Sequence, residues 1–456
     1  MDLLRKKVIT ESADNERGLA QCLSAFDLVF LGIGAVIGAG VFVLTGIIAA
    51  TQTGPAIVLS YIIAGLACAF SALSYAELAS TVGGCGSAYG YAYAGFGEII
   101  AWIVGWDLLL EYAISVSAVA VGWSSYFNDF LLVLQLKLPL ALSSGPSAGG
   151  FFNLSAFSII VLLTVLLAWG VKSSSRFNTF MVLVKLLVIA IFIIIAITVV
   201  QPKNWFPFMP FGWHGVVQGA SLIFFAYIGF DAVSTATEEA IDPQRDIPIG
   251  IIGSLSFCTI LYIIVSGLLT GIAPYNTLNV SSPISYALLM LGYKLAAALI
   301  SVGAIAGLTT VMLVLFYGLT RIFLAISRDG LLPCFFAVIN HYTQTPLRII
   351  VSCGLVIALV SGMVPIDELA ELVNIGTLFA FITVCIGVIV LHYSHPELPR
   401  PFKTPLMPVI PVLGTLSCVY LIFHLPGITM VRFLIWMLAG IGVYWFYGRF
   451  HSVLNK

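Results

Sequence analysis

Charge is scarce in this chain: Asp, Glu, Lys and Arg make up 9% of its 456 residues, against 60% hydrophobic residues. A mean hydropathy of +1.09 leaves no polar shell for a water-soluble globule, which excludes a soluble domain. Basic and acidic residues nearly cancel, 19 against 20, so no basic footprint remains for nucleic acid. The eight cysteines include no CxxC pair and the six histidines no metal spacing. The thiols therefore read as reduced and packed, and no metal or cofactor is expected. A serine or cysteine nucleophile paired with a base is also missing, which argues against an enzyme. The polar N-terminal segment, 1–26, contains no short apolar stretch with a small-residue cleavage site, so the first apolar span is expected to direct insertion itself.

What the chain has in abundance is long apolar runs. Turn residues, prolines and charges divide it into twelve spans, near 27–50, 56–82, 98–130, 154–171, 176–200, 214–238, 248–273, 295–327, 346–364, 369–393, 405–424 and 430–449. Each approaches the ~20 residues that cross a bilayer as helix. Barrel strands would be about half as long and would alternate in polarity, so the class is an all-α membrane protein. With a cytoplasmic N-terminus, fourteen Lys and Arg fall inside, among them Arg17, Arg176, Arg245, Arg328, Arg400 and Arg449, and four fall outside: Lys137, Lys203, Lys294 and Arg432. That bias obeys the positive-inside rule and places both termini, including the tail 450–456, on the cytoplasmic side.

Two spans are poor helices. "GIGAVIGAG" (Gly32 to Gly40) puts four glycines in nine residues, and each costs about 1 kcal/mol relative to alanine in a helix. "FFAYIGFDAVS" (Phe224 to Ser234) interrupts the sixth span in the same way. For the first segment, a dinucleotide loop would need a strand and a soluble βαβ unit around it. A close-packing GxxxG face, Gly34 and Gly38, is a serious rival. The third reading is a broken helix whose freed backbone binds a ligand, since non-helical backbone at membrane depth survives only where it is buried or lines a cavity. Interruptions five spans apart point to inverted repeats, 27–200 and 214–393, with 405–449 added as two further helices. Freed amides suit an anion and freed carbonyls a cation. An α-amino acid carries both on one carbon.

These segments resemble the amino acid, polyamine and organocation (APC) superfamily, most nearly the bacterial relatives of the cationic amino acid transporters. The resemblance rests on "GIGAVIGAGVFVLTG", "SYAELASTVGGCGSAYGYAY" (Ser74 to Tyr93), "GWDLLLEY" (Gly105 to Tyr112), "FFAYIGFDAVSTATEEAIDPQRDIPIGI" (Phe224 to Ile251) and "SRDGLLP" (Ser327 to Pro333). It implies a LeuT-like fold of five plus five inverted helices with two more at the C-terminus. It also implies that a substrate carboxylate meets the amides of Ala39 and Gly40 beside Gly38. The ammonium would meet carbonyls of Val36, Phe225 and Ile228, with Phe225 as an aromatic gate. Simple packing is the rival reading of Phe225 and Tyr227. Where relatives often carry Ser or Thr, this chain has Ala39, which leaves the carboxylate to backbone donors.

Lys185 lies nine positions past Arg176, about 13 Å of helix rise, too deep for its stem to reach the interface. An amine kept from water suits proton exchange. The resemblance implies that it occupies the place where sodium-coupled relatives hold a cation between helices 1 and 8; a static structural charge is the rival. Glu111, one turn after Asp107, resembles the family's glutamate facing the central cavity, near the substrate amine or the lysine. Asp231, three residues past Ile228, is expected to stabilise the second break by capping freed amides, with capping alone and no further role as the rival. Glu77 is expected at the membrane interface. Glu238, Glu239 and Arg245 form either a solvated cluster or a cytoplasmic gate. The eighth span offers Leu308, Met312 and Leu315 and no acidic residue, which favours neutral over cationic side chains.

The sequence thus leads to a secondary transporter in the cytoplasmic (inner) membrane that imports amino acids with protons by alternating access. Exchange of an amino acid for its product, or of cationic amino acids, is the alternative within the class. A channel or a transporter-derived sensor is the alternative outside it. Partners are the amino acid, protons and lipid; a small membrane helper subunit is left open.

Overall fold

The computed structural model describes residues 23–82, 88–133, 135–136, 138–169, 175–340, 343 and 345–455. Regular structure there is helical apart from an isolated backbone bridge between Leu23 and Ala240. Eight helical runs are long and apolar enough to cross a membrane, and four shorter apolar helices accompany them. The principal helices are α1 (Ala25–Val36), α2 (Ile57–Val82), α3 (Ala88–Gly95), α4 (Glu98–Val133), α5 (Leu154–Ala168), α6 (Ser175–Val199) and α7 (Gly212–Ile223), followed by α8 (Pro243–Ile272), α9 (Pro283–Met290), α10 (Lys294–Arg328), α11 (Leu347–Met363), α12 (Ile366–Ser394), α13 (Val409–Ile422) and α14 (Gly427–Val443).

Helix α1 begins with a capping box. Ser24 Oγ accepts from the Asp27 amide, and Asp27 returns a bond to the Ser24 amide, which satisfies two of the donors a helix start leaves free. The helix ends after twelve residues at Ile37, whose ψ of 94° is extended. Its continuation starts as a π-turn, Gly40–Leu44, passes a second π-turn at Ala49–Thr53 and ends at Gly54, whose φ of +63° and ψ of −150° turn the chain before α2 begins. The first expected span is therefore two helical pieces on either side of a break, and the second is α2.

Helix α4 packs against α10 and α12 to form the central scaffold, and α8 packs against both α1 and α2. Tryptophan fastens α14 to α4. Trp106 and Trp436 stack at 4.6 Å, and each indole N–H donates to the other's backbone carbonyl, at 2.9 and 3.2 Å. Trp102 donates to the Gly440 carbonyl at 2.9 Å. These bonds sit at membrane depth, where backbone carbonyls find no water. The chain's end is also tied down. Glu98, buried at the start of α4, accepts from Tyr444 (2.9 Å), Ser452 (2.6 Å) and Tyr93 (3.3 Å), and the Val453 amide donates to Asp329.

Candidate functional site

The second break mirrors the first. Helix α7 stops at Ile223 after twelve residues and tightens into a 3₁₀ turn, Phe224–Tyr227. Ile228 is extended and Gly229 has φ +114°, a conformation that glycine alone adopts without strain. The chain resumes as a ten-residue 3₁₀ helix, Phe230–Glu239, unusually long for that geometry.

The two breaks lie against each other. A Cβ on Gly40 would fall 2.4 Å from both Cα and Cβ of Ala226, and a Cβ on Gly229 would fall 3.0 Å from the Ala35 carbonyl. Each glycine removes the methylene that would separate the chains. This explains the placement of glycine better than a helix-packing face alone: Gly38 meets only Val311, at an ordinary 3.6 Å.

Freed carbonyls need donors, and buried side chains supply them. Lys185 on α6, wholly buried, donates through Nζ to the carbonyls of Gly34 (2.6 Å) and Ile37 (3.0 Å). Its stem packs on Gly307 of α10, where a Cβ would sit 3.3 Å away. The amine thus lies between the first break and α10. Tyr262 on α8 places its hydroxyl 2.9 Å from two carbonyls, Val36 in the first break and Ala226 in the second. Thr45 Oγ1 donates to the Gly40 carbonyl at 3.1 Å and meets Tyr61 at 2.6 Å, and Tyr126 on α4 donates to Phe42 at 2.6 Å. Asn374 on α12 donates to the carbonyls of Ser221 and Leu222 at the end of α7.

A family model for amino acid permeases matches residues 23–446. The chain belongs to the amino acid permease family, within the APC superfamily. It is 50% identical over 458 residues to a methylthioribose transporter of Bacillus subtilis (strain 168), covering 100% of this chain and 99% of the relative. It is equally 50% identical, over 462 residues with the same coverage, to the branched-chain amino acid permease BcaP of that organism. A vacuolar cationic amino acid transporter 4 of Arabidopsis thaliana is 40% identical over 391 residues, 84% of this chain and 65% of that protein.

In this permease the expected site residues separate into groups. Val36, Gly38, Ala39, Gly40, Phe225 and Ile228 do come together at the facing breaks, all buried. Val36 already accepts from Tyr262, and the Phe225 carbonyl accepts from the Ile228 amide at 3.3 Å. The Ala39 methyl faces α4, where a Cβ on Gly122 would lie 3.2 Å from it. Asp231 accepts from the Gly229 amide at 3.2 Å and from Tyr112 at 3.2 Å. It thus accepts from the amide of the glycine at the break. Glu111 is buried with Asp107 and Asp231 as acidic neighbours, and neither of its oxygens nor either of Asp107's accepts a hydrogen bond among the described residues. Lys185 Nζ is taken up by the carbonyls of Gly34 and Ile37, and no hydrogen bond joins it to Glu111 among the described residues.

On α10, Val311 approaches the first break, while Met312 is fully buried in the core. Arg245 is exposed in the first turn of α8, beside Asp242, Pro401 and Phe402. The side chains of Glu238, Glu239 and Arg176 lie outside the described residues. Glu77, near the end of α2, is 3% exposed and sits inside a protein-lined cluster.

Sequence reasoning missed Tyr262, Thr45 and Tyr126, because a hydroxyl in an apolar span gives no hint of a carbonyl two helices away. The Tyr262 bonds allow a direct test. Tyr262→Phe removes the shared donor and should raise the KM for the amino acid substrate about three- to tenfold, the worth of one buried hydrogen bond. Uptake kinetics in liposomes measure it, with thermal unfolding as the control for a general loss of stability.

Proposed function

We propose that this permease is a secondary transporter that imports neutral amino acids together with protons across the cytoplasmic membrane. The observation that carries the reading is the pair of facing breaks, Gly40 on Ala226 and Gly229 on Ala35. The amides of Ala39 and Gly40, at the start of the resumed helix, would meet the carboxylate. Carbonyls of Val36, Phe225 and Ile228, each with a second lone pair to offer, would meet the ammonium.

The corresponding positions of the breaks support a twelve-helix LeuT-like arrangement, with 27–200 and 214–393 as inverted repeats, 405–449 as the added pair and both termini cytoplasmic. Alternating access would then be a rocking of the helices that carry the breaks against the scaffold. Lys185 supports proton rather than sodium coupling, because its ammonium fills the carbonyl site a cation would need. In this reading Phe225 closes the outer side of the pocket and Glu111 faces the cavity.

Two lines favour a neutral side chain. The α10 wall is apolar and buried at Leu308, Val311, Met312 and Leu315, and an unpaired cation there would cost several kcal/mol. The two relatives at 50% identity are named for a branched-chain amino acid and for methylthioribose, neither of them a cationic solute. Competition against labelled leucine in proteoliposomes decides between the classes. Excess leucine, valine or methionine is expected to suppress uptake more than arginine or lysine does, and the reverse order overturns the neutral reading. Methylthioribose belongs in the same panel, since the relative named for it is as similar as BcaP.

A further inference from the structure

The cytoplasmic end of α2 carries a charge pair that the site does not use. Glu77 Oε2 accepts from the Thr404 amide at 2.7 Å, while Oε1 faces Arg400 Nε at 3.4 Å and His392 Nδ1 at 3.7 Å. Both members of the pair are buried, with side chains 4% and 6% exposed. Arg400 spends its remaining donors on four carbonyls, Pro396, Leu398, Leu391 and His395, which gather the end of α12 and the loop beyond it around one guanidinium. Thr404 adds a bond to the Leu73 carbonyl at 3.1 Å.

The contact continues into the membrane. Ser71 of α2 meets Cys418 of α13 and Cys385 of α12, and Gly414 gives way to Phe70 and Cys385. Separating a buried ion pair in which every donor is engaged is far costlier than breaking a single bond of a neutral hydroxyl. Such a bond, from the Tyr112 hydroxyl to Asp231 at 3.2 Å, ties the second break to α4.

We propose that Glu77 and Arg400 pin the inner end of α2 to the α12–α13 loop as one rigid unit that persists through the transport cycle. The proposal rests on the alternating-access reading above. It assigns the cytoplasmic opening to α1 and the 3₁₀ segment after the second break, which are themselves joined by the Ile241 amide on the Leu23 carbonyl at 2.9 Å. Glu77 and Arg400 act as positioning residues, since neither touches the breaks.

Cross-linking tests it. In a background with Cys22, Cys85, Cys334 and Cys353 replaced by serine, Leu73→Cys and Thr404→Cys are joined by oxidation or by a short bis-methanethiosulfonate, and the linkage is verified by mass spectrometry. Uptake after linkage is expected to stay within twofold of the reduced protein. Loss of uptake that reduction restores overturns the proposal. A reduced protein and parent that both fail to accumulate amino acids would instead indict the transport reading. Spin labels at Leu66→Cys and Leu406→Cys give an independent reading: an unchanged distance distribution on adding substrate supports one rigid unit, and a shifted or broadened one overturns it.

Discussion

Lys185→Ala is expected to abolish accumulation driven by a pH gradient, lowering it at least tenfold, while the protein remains in the membrane. The Lys185 ammonium serves the carbonyls of Gly34 and Ile37 at once. Without it each is left unsatisfied at a cost of about 1–3 kcal/mol, and the first break loses a charged donor. Arginine should not rescue. The lysine stem already packs within 3.3 Å of a Cβ on Gly307, and a planar guanidinium needs more room than an ammonium. Gradient-driven uptake in proteoliposomes, with and without sodium, measures the effect. Undiminished uptake in the variant, or a strict sodium requirement in the parent, would sink the coupling role.

The second large effect is expected at the crossing of the breaks. Gly40→Val and Gly229→Val should each lower transport at least a hundredfold. At Gly40 the new Cβ would overlap Ala226 backbone, which cannot move aside as a flexible side-chain tip would. At Gly229 the positive φ adds backbone strain to the contact with Ala35. Gly38→Ala is the internal control. Its methyl meets Val311 at 3.6 Å, ordinary van der Waals contact, so much of the uptake should survive. Equal damage at all three positions would show that the glycines matter only as a helix-breaking run and that their individual contacts do not.

Both breaks were legible in the sequence because glycine inside an apolar span has few structural uses. Gly32 to Gly40 and Ile228–Gly229 announced the interruptions, and Lys185 announced its own depth by its distance from Arg176. The partners were hidden. Tyr262 reads as one more aromatic in α8, and only the fold brings it within hydrogen-bond reach of both Val36 and Ala226. Glu77 was placed near a helix end by the sequence, but its partner was hidden for a related reason: the loop containing Arg400 lies far along the chain and folds back over it. On α10 the sequence offered Leu308, Met312 and Leu315 but not Val311, whose side chain is the one that meets Gly38, because an apolar pattern alone does not set a helix's rotation.

The close approach of the breaks also bears on how such a permease can change its diet. Trading partners at a crossing, alanine for Gly40 and glycine for Ala226, would remove one methyl but leave the new one 2.4 Å from the opposing Cα. No pairwise compensation exists there, so these points are closed to drift whatever the cargo. The walls are different, because a side chain on α10 can be exchanged without moving either backbone. The proposed site thus divides into crossing points that tolerate no exchange of side chain and a wall that does.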